Sequence, residues 1–268
     1  PDLVFGFNKM PGLDLYFAAD TCFKKEAINK NPLMKFTRRF KQSIEYEKAV
    51  FKSSSSTEIF LLNNKQAEDF KSVYQINPNK ITIIPPGIDL NWSDHEQIGI
   101  HNAFKIPSED KVALFVGSDF SRKGLDRAIS SVHFLNVNNI PFSLLVIGKD
   151  NFGPYSELVD KLGLNDKIKY LGPRDDVASI MKSSDLLLHP AREEAAGNVI
   201  IESLVSNLPV ATCREVGFAE EVKQNKGGVV LDEDFDQDRF DNLVLGICKN
   251  KELINIKQGM LGLERQEY

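Results

Sequence analysis

Histidine, cysteine and tryptophan are scarce in this 268-residue chain, at four, three and one residues. The histidines His95, His101, His133 and His189 are too dispersed to suggest a metal cluster. Cys22, Cys213 and Cys248 show no Cys-x-x-Cys spacing, which argues against a disulfide framework or a zinc site and fits a reducing compartment. No apolar run approaches the roughly 20 residues that span a bilayer, and no signal-peptide pattern heads the sequence. There is no internal repeat. What is present, 42% hydrophobic residues over this length, suffices for one large core or two modest ones.

Charge is unevenly spread. The net charge is −5, yet Cys22 to Lys52 holds nine Lys or Arg against three Glu, so that stretch is +6 and the remainder −11. Leu33, Phe36, Phe40, Ile44 and Phe51 follow helical spacing, with Lys35, Arg38, Arg39 and Lys41 mostly around them. A basic amphipathic helix over 33–51 suits an anionic membrane surface, because each Lys or Arg there gains about 1 kcal/mol. The alternative is that the apolar face packs on its own domain and the charges are solvated. Nucleic acid is not expected as a partner: the basic charge is confined, the pI is about 5.5 and no recognition module is visible.

The richest stretch is HPAREEAAGNVIIESLVSNLPVA, His189 to Ala211. Asp185 to His189 reads as a buried strand ended by Pro190, and Ala195-Ala196-Gly197 lets a ligand approach the backbone closely. From Asn198 the spacing turns helical through Val199, Ile200, Ser203 and Leu204 to Asn207, and Leu208 to Thr212 reads as another strand. Unpaired N–H groups near Ala196, Gly197 and Asn198, with the positive end of the helix dipole, favour a diphosphate. Glu194 and Glu202 flank that anion site. A carboxylate is a poor phosphate ligand but accepts hydrogen bonds from sugar hydroxyls, so a nucleotide sugar is the ligand these residues suggest. Two solvated acids flanking a helix are the alternative.

Further strands are expected at Val112 to Val116, Ser143 to Ile147, Ile168 to Leu171 and Gly228 to Leu231, with helices at Leu125 to Leu135 and Tyr155 to Leu162. This alternation predicts a doubly wound α/β sheet, which binds ligands at the carboxyl ends of its strands. The first of these strands ends in GSDFSRKG, Gly117 to Gly124, and delivers Arg122 and Lys123 to that edge, where two cations would stabilise a departing diphosphate. A plain basic turn is the competing reading. Near the start, Asp2 to Phe7 reads as a core strand, Pro11-Gly12 breaks the chain, and Leu15 to Ala19 brings Asp20 to a strand end. Asp20 could equally cap a helix over Cys22 to Ile28. Ser53 to Thr57 reads as a turn before a strand at Glu58 to Leu62, and Asp236-Gln237-Asp238 has an Asp-x-Asp form but lies in an acidic linker.

The Glu-x7-Glu arrangement around EAAG, with GFNKMPGLDLYFAAD (6–20), IIPPGID (83–89), VGSDFSRKGLDR (116–127), SDLLLHPAREEAAGNVIIES (184–203) and LPVATCREVGFAEEV (208–222), resembles the retaining GT-B glycosyltransferases. Within them it is most similar to glucosyltransferases of lipopolysaccharide core. The resemblance implies two Rossmann-like domains: residues 1–88 as the C-terminal part of an acceptor domain, 89–250 as the donor domain and 251–268 as the start of a C-terminal helical segment. Residue 1 is Pro and a strand follows at once, and the resemblance implies about eighty further residues of the acceptor domain before it. The implied reaction moves glucose from UDP-glucose to an inner-core heptose, without metal or other cofactor, at the inner face of the cytoplasmic membrane. By the same resemblance Glu194 contacts the hexose and Glu202 the ribose, the backbone at Arg174 meets the uracil edge, and Gly217 lies beside the donor with Gly117, Ala195, Ala196, Gly197, Asn198 and Val199. The matching aspartate lines the cleft facing the donor sugar, which assigns Asp20 to acceptor positioning or transition-state electrostatics, and Arg122 and Lys123 assist departure of the leaving group. Front-face departure and attack is implied, so the two-carboxylate scheme of hydrolases need not apply. A GT-B-fold UDP-sugar 2-epimerase and an inactive donor-binding fragment remain alternatives.

Overall fold

A computed structural model describes residues 2–29, 35–87, 92, 94–249 and 256. The chain divides into two compact units, one of Pro1–Gly87 with Glu194–Ala196 and one of Ile88–Glu193 with Gly197–Tyr268.

The first unit runs β1 (Phe5–Gly6), β2 (Leu15–Ala18), α1 (Phe23–Asn29), α2 (Arg38–Phe51), β3 (Glu58–Leu61), α3 (Asn64–Val73) and β4 (Ile81–Ile83). Its strands form one parallel sheet in the order β1-β2-β3-β4. Phe51 anchors the core, stacked on Phe70 at 3.9 Å between centroids and edge-on to Tyr16. Two expectations need correction. The segment Asp2 to Phe7 is not a core strand: only Phe5–Gly6 pairs, at the sheet edge, and Phe5 and Phe7 are 47% and 63% exposed. The basic helix starts at Arg38, after the Thr37 side chain accepts from Phe40 N at 3.2 Å, so Phe36 lies outside it and is exposed. Thr is a favoured cap because it satisfies an orphan helix N–H, and that local bond overrides the longer apolar periodicity. Leu33, and Ile88 and Asp89 of the IIPPGID run, lie outside the described residues, as does 251–268 apart from residue 256.

The second unit runs α4 (Ile100–Phe104), β5 (Lys111–Val116), α5 (Phe120–Lys123), α6 (Leu125–Val137), β6 (Phe142–Ile147), α7 (Gly153–Lys161), β7 (Ile168–Gly172), α8 (Val177–Ser183), β8 (Leu186–His189), α9 (Asn198–Val205), β9 (Val210–Cys213), α10 (Ala219–Gln224), β10 (Gly228–Leu231) and α11 (Gln237–Lys249). Its sheet is parallel throughout, in the order β10-β9-β8-β5-β6-β7. Strands buried on both faces explain the unbroken apolar runs: every residue of β6, β8 and β9 is buried. The strand order reverses between β5 and β8, the switch point where such sheets open a crevice at their carboxyl edge.

Candidate functional site

Val116 leaves β5 into Gly117, whose φ of 149° suits glycine, and a Cβ on Gly148 would stand 2.0 Å from Gly117 O. The chain then turns through Asp119, in the left-handed region, whose carboxylate accepts from Arg122 N at 3.2 Å and from Arg122 Nε at 3.0 Å. Gly124 follows at φ 78°, packed so closely on the end of β8 that a Cβ would come within 2.3 Å of Pro190 O. The two loops are further stitched by Arg192 N donating to Arg122 O at 2.8 Å and Arg122 Nη1 donating to Glu193 O at 2.8 Å. Arg192 also grips Asp126 in a bidentate pair at 2.6 and 2.8 Å; burial pushes the Asp126 carboxyl up, and the paired guanidinium outweighs it and holds the group below its usual range.

Lys123 folds back across Gly117, where an added Cβ would lie 2.3 Å from Lys123 Cδ. Burial pushes the Glu202 carboxyl up, and the Lys123 ammonium opposes that shift. The same two cations, Lys123 and Arg122, add to a larger burial effect that lowers His189 to about 3. Gly197, at φ 85°, precedes α9 with no side-chain cap, so the helix start keeps the anion-binding character expected of it. Gly117, Arg122, Lys123, Gly197, Asn198, Val199 and Glu202 thus all belong to the second unit, while Glu194, Ala195 and Ala196 group with the first. Gly217 is buried in the turn between β9 and α10. The Arg174 side chain is committed to Asp176, at 2.7 and 2.6 Å, which leaves its backbone as the group to consider for a ligand. Among the described residues no cluster of three or more His, Cys, Asp or Glu could hold a metal ion.

In the first unit Asp20 does not cap a helix. Its carboxylate, 61% exposed, accepts from Tyr16 Oη at 2.9 Å and pairs with Lys9 Nζ at 3.0 Å. Lys9 Nζ also donates to Thr21 O at 2.9 Å and to Glu47 Oε1 at 2.8 Å, which uses all three ammonium hydrogens. Glu47, fully buried on α2, caps α1 from a distance: it accepts from Phe23 N and Lys24 N at 2.9 Å each and from Tyr74 Oη at 2.8 Å. Lys9 stays protonated beyond its usual range; burial works against this, and the Asp20 and Glu47 charges outweigh it. Lys24, Ala27, Lys35, Phe40, Ile44 and Lys48 line a pocket of about 220 Å³.

Residues 96–256 match the family model "Glycosyl transferases group 1". The chain belongs to this family. The lipopolysaccharide glucosyltransferase WaaG of Escherichia coli K12 is 38% identical over 91% of this chain and 67% of its own length. A crystal structure of WaaG, a glycosyltransferase involved in lipopolysaccharide biosynthesis, superposes with a TM-score of 0.89 at 34% identity, over 100% of this chain and 75% of that one. An uncharacterized glycosyltransferase of Methanocaldococcus jannaschii is 26% identical over 65% of this chain but only 46% of its own length. The present chain therefore spans two thirds of the first relative and less than half of the last. The α/β architecture is that of the GT-B glycosyltransferases.

Several residues that shape this glycosyltransferase gave no signal in the sequence. Lys9 and Glu47 stand 38 positions apart, one beside a turn and one in a basic helix where an acid reads as a solvated charge. Asp126 and Arg192 are 66 apart. His189 was visible only as a strand end. No local pattern couples such pairs; the sheet order does.

Proposed function

We propose that this chain is a retaining glycosyltransferase that moves glucose from UDP-glucose to a heptose of lipopolysaccharide inner core. The observation that carries the reading is the setting of Arg122, Lys123 and Glu202 at the carboxyl edge of a switch-point sheet, in a chain 38% identical to a lipopolysaccharide glucosyltransferase. Arg122 and Lys123 bind the diphosphate and stabilise it as it leaves, with the backbone of Ala195, Ala196, Gly197, Asn198 and Val199 supplying N–H groups. Glu202 accepts from ribose hydroxyls and Glu194 from the hexose; the backbone at Arg174 meets the uracil, and Gly117 and Gly217 let the donor lie close. Asp20 serves the acceptor. The reaction draws on no metal.

The acceptor is anchored in lipid, so the enzyme works as a peripheral protein at the inner face of the cytoplasmic membrane. Among the described residues no helix is long and apolar enough to cross a membrane. The pocket lined in part by Lys24, Lys35 and Lys48 and the exposed Arg38, Arg39 and Lys41 support docking of 22–52 on an anionic surface. Calorimetric titration with UDP, GDP and ADP tests the donor half. Saturable binding selective for UDP is expected, and Glu202→Ala should weaken it by about tenfold or more. Glu194→Ala should spare UDP and lower transfer of labelled glucose to a heptose-terminated core. Equal binding of the three nucleotides would reject the uridine assignment.

A further inference from the structure

His189 ends β8 with none of its surface exposed and with neither ring nitrogen in a hydrogen bond. Buried polar atoms are almost always paired, so two orphans on one ring ask for a partner. Strand β8 runs beside β5 with Ala113 opposite Leu186 and Leu114 opposite Leu187, and continuing that register brings Val116, the residue before Gly117, level with His189. The loop beyond Gly117 is pinned over the next residues of the β8 chain, by Gly124 against Pro190 O and by Arg127 Nη1 donating to Pro190 O at 3.1 Å. Lys123 lies across Gly117 in that loop. After burial, the Lys123 and Arg122 charges are the next largest influences on the imidazole, so His189 lies within electrostatic reach of the cation assigned to the diphosphate.

We propose that His189 is a positioning residue for Lys123: when a nucleoside diphosphate draws the ammonium onto its phosphate oxygens, one ring nitrogen accepts a hydrogen bond from Lys123 Nζ and fixes the cation in place. The inference rests on the donor reading above. A neutral acceptor suits the task, because a carboxylate there would cancel the cation and repel the ligand, whereas an uncharged imidazole offers a lone pair and leaves the field intact. The ring is held neutral by burial first and by Lys123 and Arg122 second.

The test is the ring nitrogen spectrum of the full chain labelled with 15N-histidine, recorded alone, with uridine and with UDP. The expected result is a shift of one His189 nitrogen with UDP and none with uridine, the signal being assigned by its loss in His189→Gln. Calorimetry completes the test: His189→Leu should weaken UDP binding about tenfold in the parent and have little further effect in a Lys123→Ala background. UDP binding with an unmoved ring, or an equal loss in both backgrounds, overturns the role of His189 and leaves the donor site standing. Absence of UDP binding in a folded parent sinks the donor reading itself, and this inference with it.

Discussion

Gly124 has neighbours that admit no other residue cheaply. Its φ of 78° and the carbonyl of Pro190 lying 2.3 Å from an added Cβ combine strain with a backbone clash. Gly124→Ala should cost about 1–3 kcal/mol in urea unfolding and loosen the Arg122–Lys123 turn. His189 makes a prediction in pH. Its pKa is lowered from 6.5 to about 3 in the folded chain, so between these values the unfolded chain binds the extra proton. Native stability is then complete above about 6.5 and is lost as pH falls towards about 3, at up to ~1.4 kcal/mol per pH unit. The stability of His189→Leu, measured by urea unfolding across that window, should fall less steeply than that of the parent; matching slopes would contradict the burial argument. At this scale the motifs of the sequence mark Arg122, Lys123, Glu194 and Glu202 as candidates. The sequence hid Lys9 and Glu47, because a buried ion pair has no periodicity and its partners meet only when α2 packs beside the β1–β2 turn.

Helix α2 has two faces with different work. Inward, Glu47 holds the start of α1 and the Lys9 ammonium, with Val50 and Phe51 in the core. Glu47→Ala would leave Lys9, only 9% exposed at its side chain, without its buried partner, and should cost about 3–5 kcal/mol in equilibrium unfolding. Outward, Arg38, Arg39 and Lys41 are exposed. Replacing these three by Gln should weaken sedimentation with vesicles containing phosphatidylserine and leave binding to neutral vesicles unchanged, since each cation adds about 1 kcal/mol near an anionic leaflet. Undiminished binding to the anionic vesicles would assign those charges to solvation alone. The expected apolar stripe was right at Phe51, half right at Phe40 and Ile44, and wrong at Phe36, where the Thr37 cap begins the helix later than the spacing suggested.

Across the whole molecule, the charge of −5 conceals a +6 segment, so binding to anionic vesicles should weaken steeply as salt is raised towards 0.5 M, where screening acts within a few ångströms. A salt-independent affinity would point to apolar insertion instead. The sequence by itself determined the parallel α/β class, the donor-domain strands to within two residues at either end, and the helix after Gly197, because β period, helical spacing and glycine punctuation are local properties of the chain. Tertiary structure alone decided that β8 lies beside β5. That adjacency creates the switch point and encloses His189 at the end of β8. It also decided that Phe5 and Phe7 stand at a sheet edge and that Glu47 is interior. Such outcomes depend on which strands and helices become neighbours, and strand order is set by the burial of whole faces against one another, which no window of sequence contains.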